Sequence, residues 1–140
     1  MTRVFDAPRH LVFGWWTLAE KLQQWSGCNE ATRCEIEMDF RAGGSFTQKM
    51  QIAANGGTCE FLFTGTYDEI VEPERIVYRA NFGPVVTRVI VEFFEQGEGT
   101  KVVLTHEGCP DDFFRQSVSQ GTCESLDKLD SLLVLEGLPI

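Results

Sequence analysis

The sequence has few basic side chains, and this excludes several common classes of partner. It contains 12 lysine and arginine residues against 21 aspartate and glutamate residues, a net charge of -9 at pH 7. Binding to nucleic acid phosphates or to an anionic membrane surface requires clustered basic side chains. We therefore expect no nucleic acid partner and no membrane partner, and the dispersed acidic charge favours solubility.

Long apolar runs and secretion signals are also missing from the sequence. No run approaches the 18 or more apolar residues that a membrane-spanning helix needs, and the first residues lack the pattern of a signal peptide. These absences predict a cytoplasmic protein.

Closely spaced metal ligands are absent as well. The five cysteines form an odd number without a CxxC pair, and His10 and His106 are the two histidines of the chain. A zinc site uses closely spaced cysteine and histidine ligands, so the sequence predicts reduced thiols, no metal site and no cofactor.

Catalytic signatures are equally scarce. The sequence contains no GxSxG motif, no supported order of serine, histidine and aspartate, and no glycine-rich phosphate loop. The pair Gly43-Gly44 stands outside any GxGxxG or Walker pattern and is interpreted as a turn. The sequence thus favours a protein without catalysis and leaves an enzyme open, with no residue assigned a catalytic role.

Apolar residues are plentiful and support one folded domain over residues 1–140. They make up 43% of the chain and include 11 phenylalanines. A chain of this length builds one sizeable core. So many phenylalanines fit either the core between a sheet and a helix or the wall of a large apolar cavity.

The last part of the chain, from Pro110 to Leu135, has the periodicity of one long amphipathic helix. Its apolar positions recur three or four residues apart, except near Thr122, where the stripe thins. These positions are Phe114, Val118, Leu126, Leu129 and Leu133. A long helix with one apolar face needs a sheet to pack against.

The part before this helix alternates between apolar and polar residues, as strands do. Six clear strands are predicted between Thr32 and Glu107, with a hairpin turn at Asn55-Gly56-Gly57 and a bulge at Gly65. A first strand at Arg3-Val4-Phe5 precedes them. The sequence predicts an α+β fold in which a curved antiparallel sheet wraps around the long C-terminal helix.

Two short helices are predicted between the first strand and the rest of the sheet. The first spans His10 to Trp16, and the second runs from Thr17 to about Trp25. Thr17 followed by Glu20 has the spacing of a capping box, so Thr17 is expected to cap the second helix.

Two polar residues occupy inward-facing positions of the predicted strands. Gln48 lies between Phe46 and Met50, and His106 has the same parity as Leu104. A buried polar group without a partner costs about 1–3 kcal/mol, so each needs a partner in the protein, in water or in a ligand. The pattern leaves open whether they are satisfied core residues or the polar points of an apolar pocket.

Several motifs in their order along the chain resemble the AHSA-type branch of the START-like (SRPBCC) superfamily, named for an activator of a heat-shock chaperone's ATPase. These motifs are Arg3 to Pro8, Val12-Phe13, Trp16-Thr17, Trp25, Arg41 to Phe46, Gly65 to Tyr78, Gly99-Thr100 and Leu126 to Leu129. The resemblance implies the helix-grip fold, with a cavity between the sheet and the terminal helix.

The chain departs from the family pattern at two places near the implied cavity. Ser26 stands where family members often have a second tryptophan, and Gly121-Thr122 stands where a Gly-Trp pair is common. Both changes replace a large ring by a small side chain, which leaves more room in the cavity.

We therefore predict that the protein binds a small, largely apolar or amphipathic molecule in this cavity, as a monomer or homodimer. A protein-interaction module resembling the chaperone activator is the alternative, and an enzyme using the same cavity is a third possibility. The predicted ligand-binding residues are Trp16, Phe46, Gln48, Met50, Phe61, Phe63, Tyr78, Leu104, His106, Phe114, Val118 and Thr122.

Overall fold

A computed structural model describes residues 1–26, 31–54 and 56–136 of the chain. Cys28 and the turn residue Asn55 lie outside the described residues. The elements in chain order are β1 (Thr2–Phe5), α1 (Arg9–Gly14), α2 (Ala19–Trp25), β2 (Ala31–Met38), β3 (Ser45–Ala54), β4 (Gly57–Val71), β5 (Arg75–Phe82), β6 (Val85–Gln96), β7 (Gly99–Glu107) and α3 (Asp112–Glu136).

The described strands form one antiparallel sheet in the order β1-β7-β6-β5-β4-β3-β2. Strands β2 to β7 are joined to their sequence neighbours as a meander, and β1 pairs with the free edge of β7. Tight turns with positive φ at Gly83 and Gly97 connect β5 to β6 and β6 to β7, a conformation that glycine adopts without steric cost. The α+β helix-grip prediction is confirmed.

Two local predictions were wrong. Gly65 pairs regularly with Phe46 and Ala80, and the shift in register lies between Tyr67 and Glu69 instead. Gly65 is needed for a close approach, because a Cβ atom there would collide with the carbonyl oxygen of Arg79 and the ring of Phe46.

Thr17 does not cap α2, which begins at Ala19 after an extended Leu18 that makes no side-chain cap bond. The Thr17 hydroxyl instead donates to the carbonyl oxygen of Gly14 at 2.8 Å. The hydroxyl therefore forms its hydrogen bond within the turn that follows α1. This local bond competes with capping of α2, so the capping-box prediction was wrong.

The core is built around the C-terminal half of α3. Leu126, Leu129 and Leu133 are buried there in one cluster with side chains from β1, α1, α2 and β6. Edge-to-face rings reinforce it, with Phe13 and Trp16 each about 5 Å from the ring centre of Phe93. Burying each leucine contributes about 1.5–3 kcal/mol, so this half of α3 holds the helix to the sheet.

The N-terminal half of α3 is packed differently. Phe114 and Val118 are only half-buried, and no described side chain before Ser125 in this helix is buried. On the facing strands, Met50 is buried while Phe46 and Leu104 are half-buried. The predicted inward registers are correct, and the space between the sheet and this half of the helix is incompletely filled.

Candidate functional site

A cavity of about 700 Å³ lies between the concave face of the sheet and the N-terminal half of α3. Strands β2 to β7 supply its floor, α3 its cover, and α2 one end. Its volume falls within the range of about 300–1,000 Å³ that is usual for small-molecule sites. The fold therefore leaves room for a ligand where the helix stands away from the sheet.

The structure brings all twelve predicted residues together in the wall of this cavity. Trp16 and Met50 are buried, Phe61 lies at the rim with 44% exposure, and the others are half-buried. The twelve are Trp16, Phe46, Gln48, Met50, Phe61, Phe63, Tyr78, Leu104, His106, Phe114, Val118 and Thr122.

Further lining residues were missing from the predicted set. Tyr67 and Phe82 share the inward registers of Phe63 and Tyr78, so strand alternation already pointed to them. Residues of α2 also line the cavity. The family resemblance placed Ser26 near it, but the apolar pattern of α2 does not indicate that Leu22 and Trp25 line it, because this depends on how α2 lies across the end of the sheet. The α2 contribution consists of Leu22, Trp25 and the following Ser26.

Packed aromatic rings fix the shape of the wall. The ring of Phe46 lies over Gly65 and is 5.3 Å from the ring centre of Tyr67 and 5.4 Å from that of Tyr78. Toward the start of α3, Phe82 is 4.8 Å from Phe63 and 5.4 Å from Phe114. The pair of Phe46 and Tyr67 is tilted, and the other three pairs are edge-to-face. Edge-to-face pairs stabilise one arrangement of rings, so the cavity has a defined apolar surface.

His106, a predicted polar point of the pocket, has a protein partner. Its Nε2 atom lies 2.7 Å from the hydroxyl oxygen of buried Thr87 on the neighbouring strand. Burial lowers the pKa of His106 below its ordinary value, because the charged imidazolium is poorly solvated there. At neutral pH the imidazole is uncharged and presents a polar but neutral group.

Gln48, the other predicted polar point, makes a weaker contact. Its side-chain nitrogen donates to the sulfur atom of Cys34 on β2 at 3.5 Å. The two strands pair so that Ile36 lies opposite Gln48, which places Cys34 one inward position further along β2. The structure therefore supports the interpretation that both residues are held by protein partners.

Two tyrosines complete the polar part of the wall. Tyr67 on β4 lies directly opposite Tyr78 on β5, with 6.2 Å between ring centres. Neither hydroxyl forms a hydrogen bond to another residue that the structure describes. Burial raises the pKa of Tyr78 to about 12 and raises that of Tyr67 well above its usual range. Both phenols are therefore neutral at physiological pH.

Charged side chains are absent from the lining that the structure describes. Lysine, arginine, aspartate and glutamate are all missing from it, and His106 is neutral at pH 7. Within residues 1–26, 31–54 and 56–136, no three His, Cys, Asp or Glu side chains lie close enough to hold a metal ion. Over the same ranges, none of the helices is both long and apolar enough to cross a bilayer.

A curved antiparallel sheet that holds a long C-terminal helix over an apolar cavity defines a helix-grip protein. The family comparison agrees with this class: the sequence profile for Activator of Hsp90 ATPase homolog 1-like protein matches residues 6–134. The chain therefore belongs to that family, as the resemblance of its motifs predicted. No curated protein sequence matches the chain significantly.

Solved structures from several bacteria share the fold over almost the whole chain. A protein of Chromobacterium violaceum is 26% identical with a TM-score of 0.85, and the match covers 94% of each chain. A protein of Rhizobium leguminosarum is 28% identical with a TM-score of 0.75, covering 95% of this chain and 91% of that one. One from Rhodobacter sphaeroides, at 17% identity and a TM-score of 0.82 over 96% and 90%, shows the fold alone.

Proposed function

We propose that this protein binds a small, largely apolar molecule in the cavity between the sheet and α3. The observation that carries the proposal is a cavity of about 700 Å³ whose described lining is predominantly apolar and aromatic and has no charged side chain. Such a surface gives affinity through the apolar area that it removes from water, while a few polar groups orient the ligand.

Small residues on α3 and after α2 provide the room that the ligand requires. A Cβ atom added to Gly121 would meet no atom within 4 Å, so the helix faces open space at this position. Thr122 and Ser26 line the same cavity. A large ring at any of these places would occupy volume that the proposed ligand uses.

A protein-interaction module is the competing proposal, and one observation favours it. Phe61, Leu62 and Phe113 line the cavity yet remain 44%, 56% and 80% exposed, so apolar side chains surround its opening. Exposed apolar groups are also found at protein interfaces. A filled interior would be expected of a module that acts through its surface alone, and the open cavity therefore favours ligand binding.

An enzyme that uses the same cavity has less support. A general base would be expected to have a carboxylate that orients it, whereas the partner of His106 among the described residues is the hydroxyl of Thr87. We accordingly assign the cavity a binding role.

The unpaired thiols support placing this function in the cytoplasm. Cys34, Cys59, Cys109 and Cys123 are free, and Cys59 is exposed. Exposed free cysteines are typical of a reducing compartment, where thiols stay reduced.

The test fills the cavity with a ring. Thr122→Trp should weaken binding of the neutral fluorescent probe N-phenyl-1-naphthylamine, because the indole would occupy the space beside Gly121. Gln120→Trp is the matched control, since Gln120 is exposed on the same helix and does not line the cavity. Probe titrations of both variants and the wild type are compared by fluorescence, with thermal melts to show that each is folded.

We expect the wild type and Gln120→Trp to bind the probe with equal affinity and folded Thr122→Trp to bind at least about tenfold more weakly, a loss of about 1.4 kcal/mol. Equal affinity of all three proteins would place the probe outside the cavity and contradict the proposal. A wild type that binds no apolar probe would favour the interaction module.

A further inference from the structure

Three polar side chains of the cavity wall lie in one row across the sheet. Tyr67 on β4 pairs with Tyr78 on β5, Tyr78 pairs with Val89 on β6, and Val89 pairs with His106 on β7. Directly opposed residues of neighbouring antiparallel strands point to the same face. The two phenols therefore stand side by side at one end of the row, and His106 stands two strands away.

The three members of the row differ in whether their polar atoms already have a protein partner. His106 already contacts Thr87 through Nε2, and Gln48, outside the row, donates to Cys34. The hydroxyls of Tyr67 and Tyr78 form no hydrogen bond within residues 1–26, 31–54 and 56–136, although Tyr67 is 95% removed from solvent. The two hydroxyl oxygens nevertheless keep some exposure, so both phenols are free to donate to a partner inside the cavity that they line.

The absence of charged side chains from the described wall restricts the chemistry of that partner. A carboxylate, phosphate or ammonium group entering this cavity would lose its hydration and meet no opposite charge among the described lining residues. Desolvation of an unpaired ion is strongly unfavourable. A neutral oxygen acceptor, in contrast, gains two phenolic donors at little cost.

The rings of the wall indicate the body of the ligand. Phe46 packs against both tyrosines, and Phe63, Phe82 and Phe114 form a second group of rings along the cavity. Aromatic side chains offer flat faces and polarised edges that pack well against another ring. A ring-containing molecule therefore matches this surface better than a flexible chain.

We infer that the ligand is an uncharged, ring-containing molecule with a carbonyl or similar oxygen acceptor, which Tyr67 and Tyr78 hold by hydrogen bonds from their hydroxyl groups. This inference rests on the proposed binding function and specifies the chemical class of its ligand.

Three probes of nearly the same shape test separately whether the ligand needs an oxygen acceptor and whether it must be uncharged. The first is 2-acetylnaphthalene, whose carbonyl is an acceptor, the second is 2-ethylnaphthalene, which replaces that carbonyl by a methylene group, and the third is the anion 2-naphthoate. Their affinities for the intact protein at pH 7.5 are measured by quenching of tryptophan fluorescence, because Trp16 and Trp25 line the cavity.

We expect 2-acetylnaphthalene to bind about two- to tenfold more tightly than 2-ethylnaphthalene, the gain that one net hydrogen bond gives. The anion 2-naphthoate is expected to bind about a hundredfold more weakly than 2-acetylnaphthalene, because it is buried without a counter-charge. In the double variant Tyr67→Phe/Tyr78→Phe the advantage of the acetyl probe disappears. The readout is the ratio of the acetyl to the ethyl affinity within each protein, and thermal melts show that the variant is folded.

The results that contradict this inference differ from those that contradict the proposed function. Equal binding of the acetyl and ethyl probes by the wild type, or an acetyl advantage that survives in the double variant but is lost in His106→Phe, would overturn the assignment to the tyrosines. An affinity for 2-naphthoate equal to that for the neutral probes would overturn the inference that the ligand is uncharged. In each case binding itself remains. Failure of the wild type to bind either neutral probe would overturn the proposed function as well.

Discussion

His106 shows how a single residue in the cavity wall couples the charge of the site to the stability of the fold. Its imidazole is half-buried against Thr87, and burial lowers its pKa below the ordinary value of 6.5. In the unfolded chain the same side chain is in water and titrates near its ordinary pKa. The two states of the protein therefore bind protons differently in the weakly acidic range.

This difference predicts that acidification destabilises the protein through His106. As the pH falls from 7.5 through 6.5, the unfolded state takes up a proton that the folded state does not, so the free energy of unfolding decreases and levels off below the folded pKa. Urea unfolding at pH 7.5, 6.5 and 5.5 measures the slope. His106→Phe is expected to have a flatter profile than the wild type over this window.

The exposed His10 at α1 is the matched control, and His10→Gln should keep the pH dependence of the wild type. The account of His106 is contradicted if His106→Phe and the wild type lose stability in parallel.

At the residue scale, the sequence predicted which side chains point inward but not what they bond. Alternation along β3 and β7 is enough to turn Gln48 and His106 toward the helix. Their partners, Cys34 and Thr87, depend on how neighbouring strands are aligned, and alternation does not determine that alignment. The same alignment sets the two tyrosines opposite each other.

At the scale of elements, α3 is one continuous helix with two different environments. Leu126, Leu129 and Leu133 pack in the core, whereas Phe114 and Val118 line the cavity. The sequence predicted the helix over Pro110 to Leu135, close to its observed bounds of Asp112–Glu136. An apolar stripe marks the side that faces the sheet, but it does not distinguish a side chain packed in the core from one facing a cavity.

The two halves should respond differently to the same kind of truncation. Leu129 is completely buried, so Leu129→Ala should lower the free energy of unfolding by about 2–5 kcal/mol, the cost of lost burial and a new void. Val118 is half-buried beside space that already exists, so Val118→Ala should cost no more than about 1 kcal/mol. Urea unfolding of both variants measures the difference. Similar losses in the two variants would mean that both halves of α3 are packed as core.

At the scale of the whole molecule, the meander of strands and the terminal helix followed from the sequence because each has its own periodicity. The order of motifs that resembles the family added the helix-grip arrangement and its cavity. The position of α2 over the end of the cavity did not follow, because Leu22 and Trp25 have the same apolar character in a helix packed anywhere on the sheet. The tertiary arrangement alone brings them into the wall.

The most direct test of the central claim is a crystal structure of the protein grown with N-phenyl-1-naphthylamine. We predict electron density for the probe between the sheet and the N-terminal half of α3, in contact with Phe46, Tyr78 and Val118. Density at the exposed rim around Phe113 instead, or an interior that is filled by protein side chains and excludes the probe, would contradict ligand binding in the cavity.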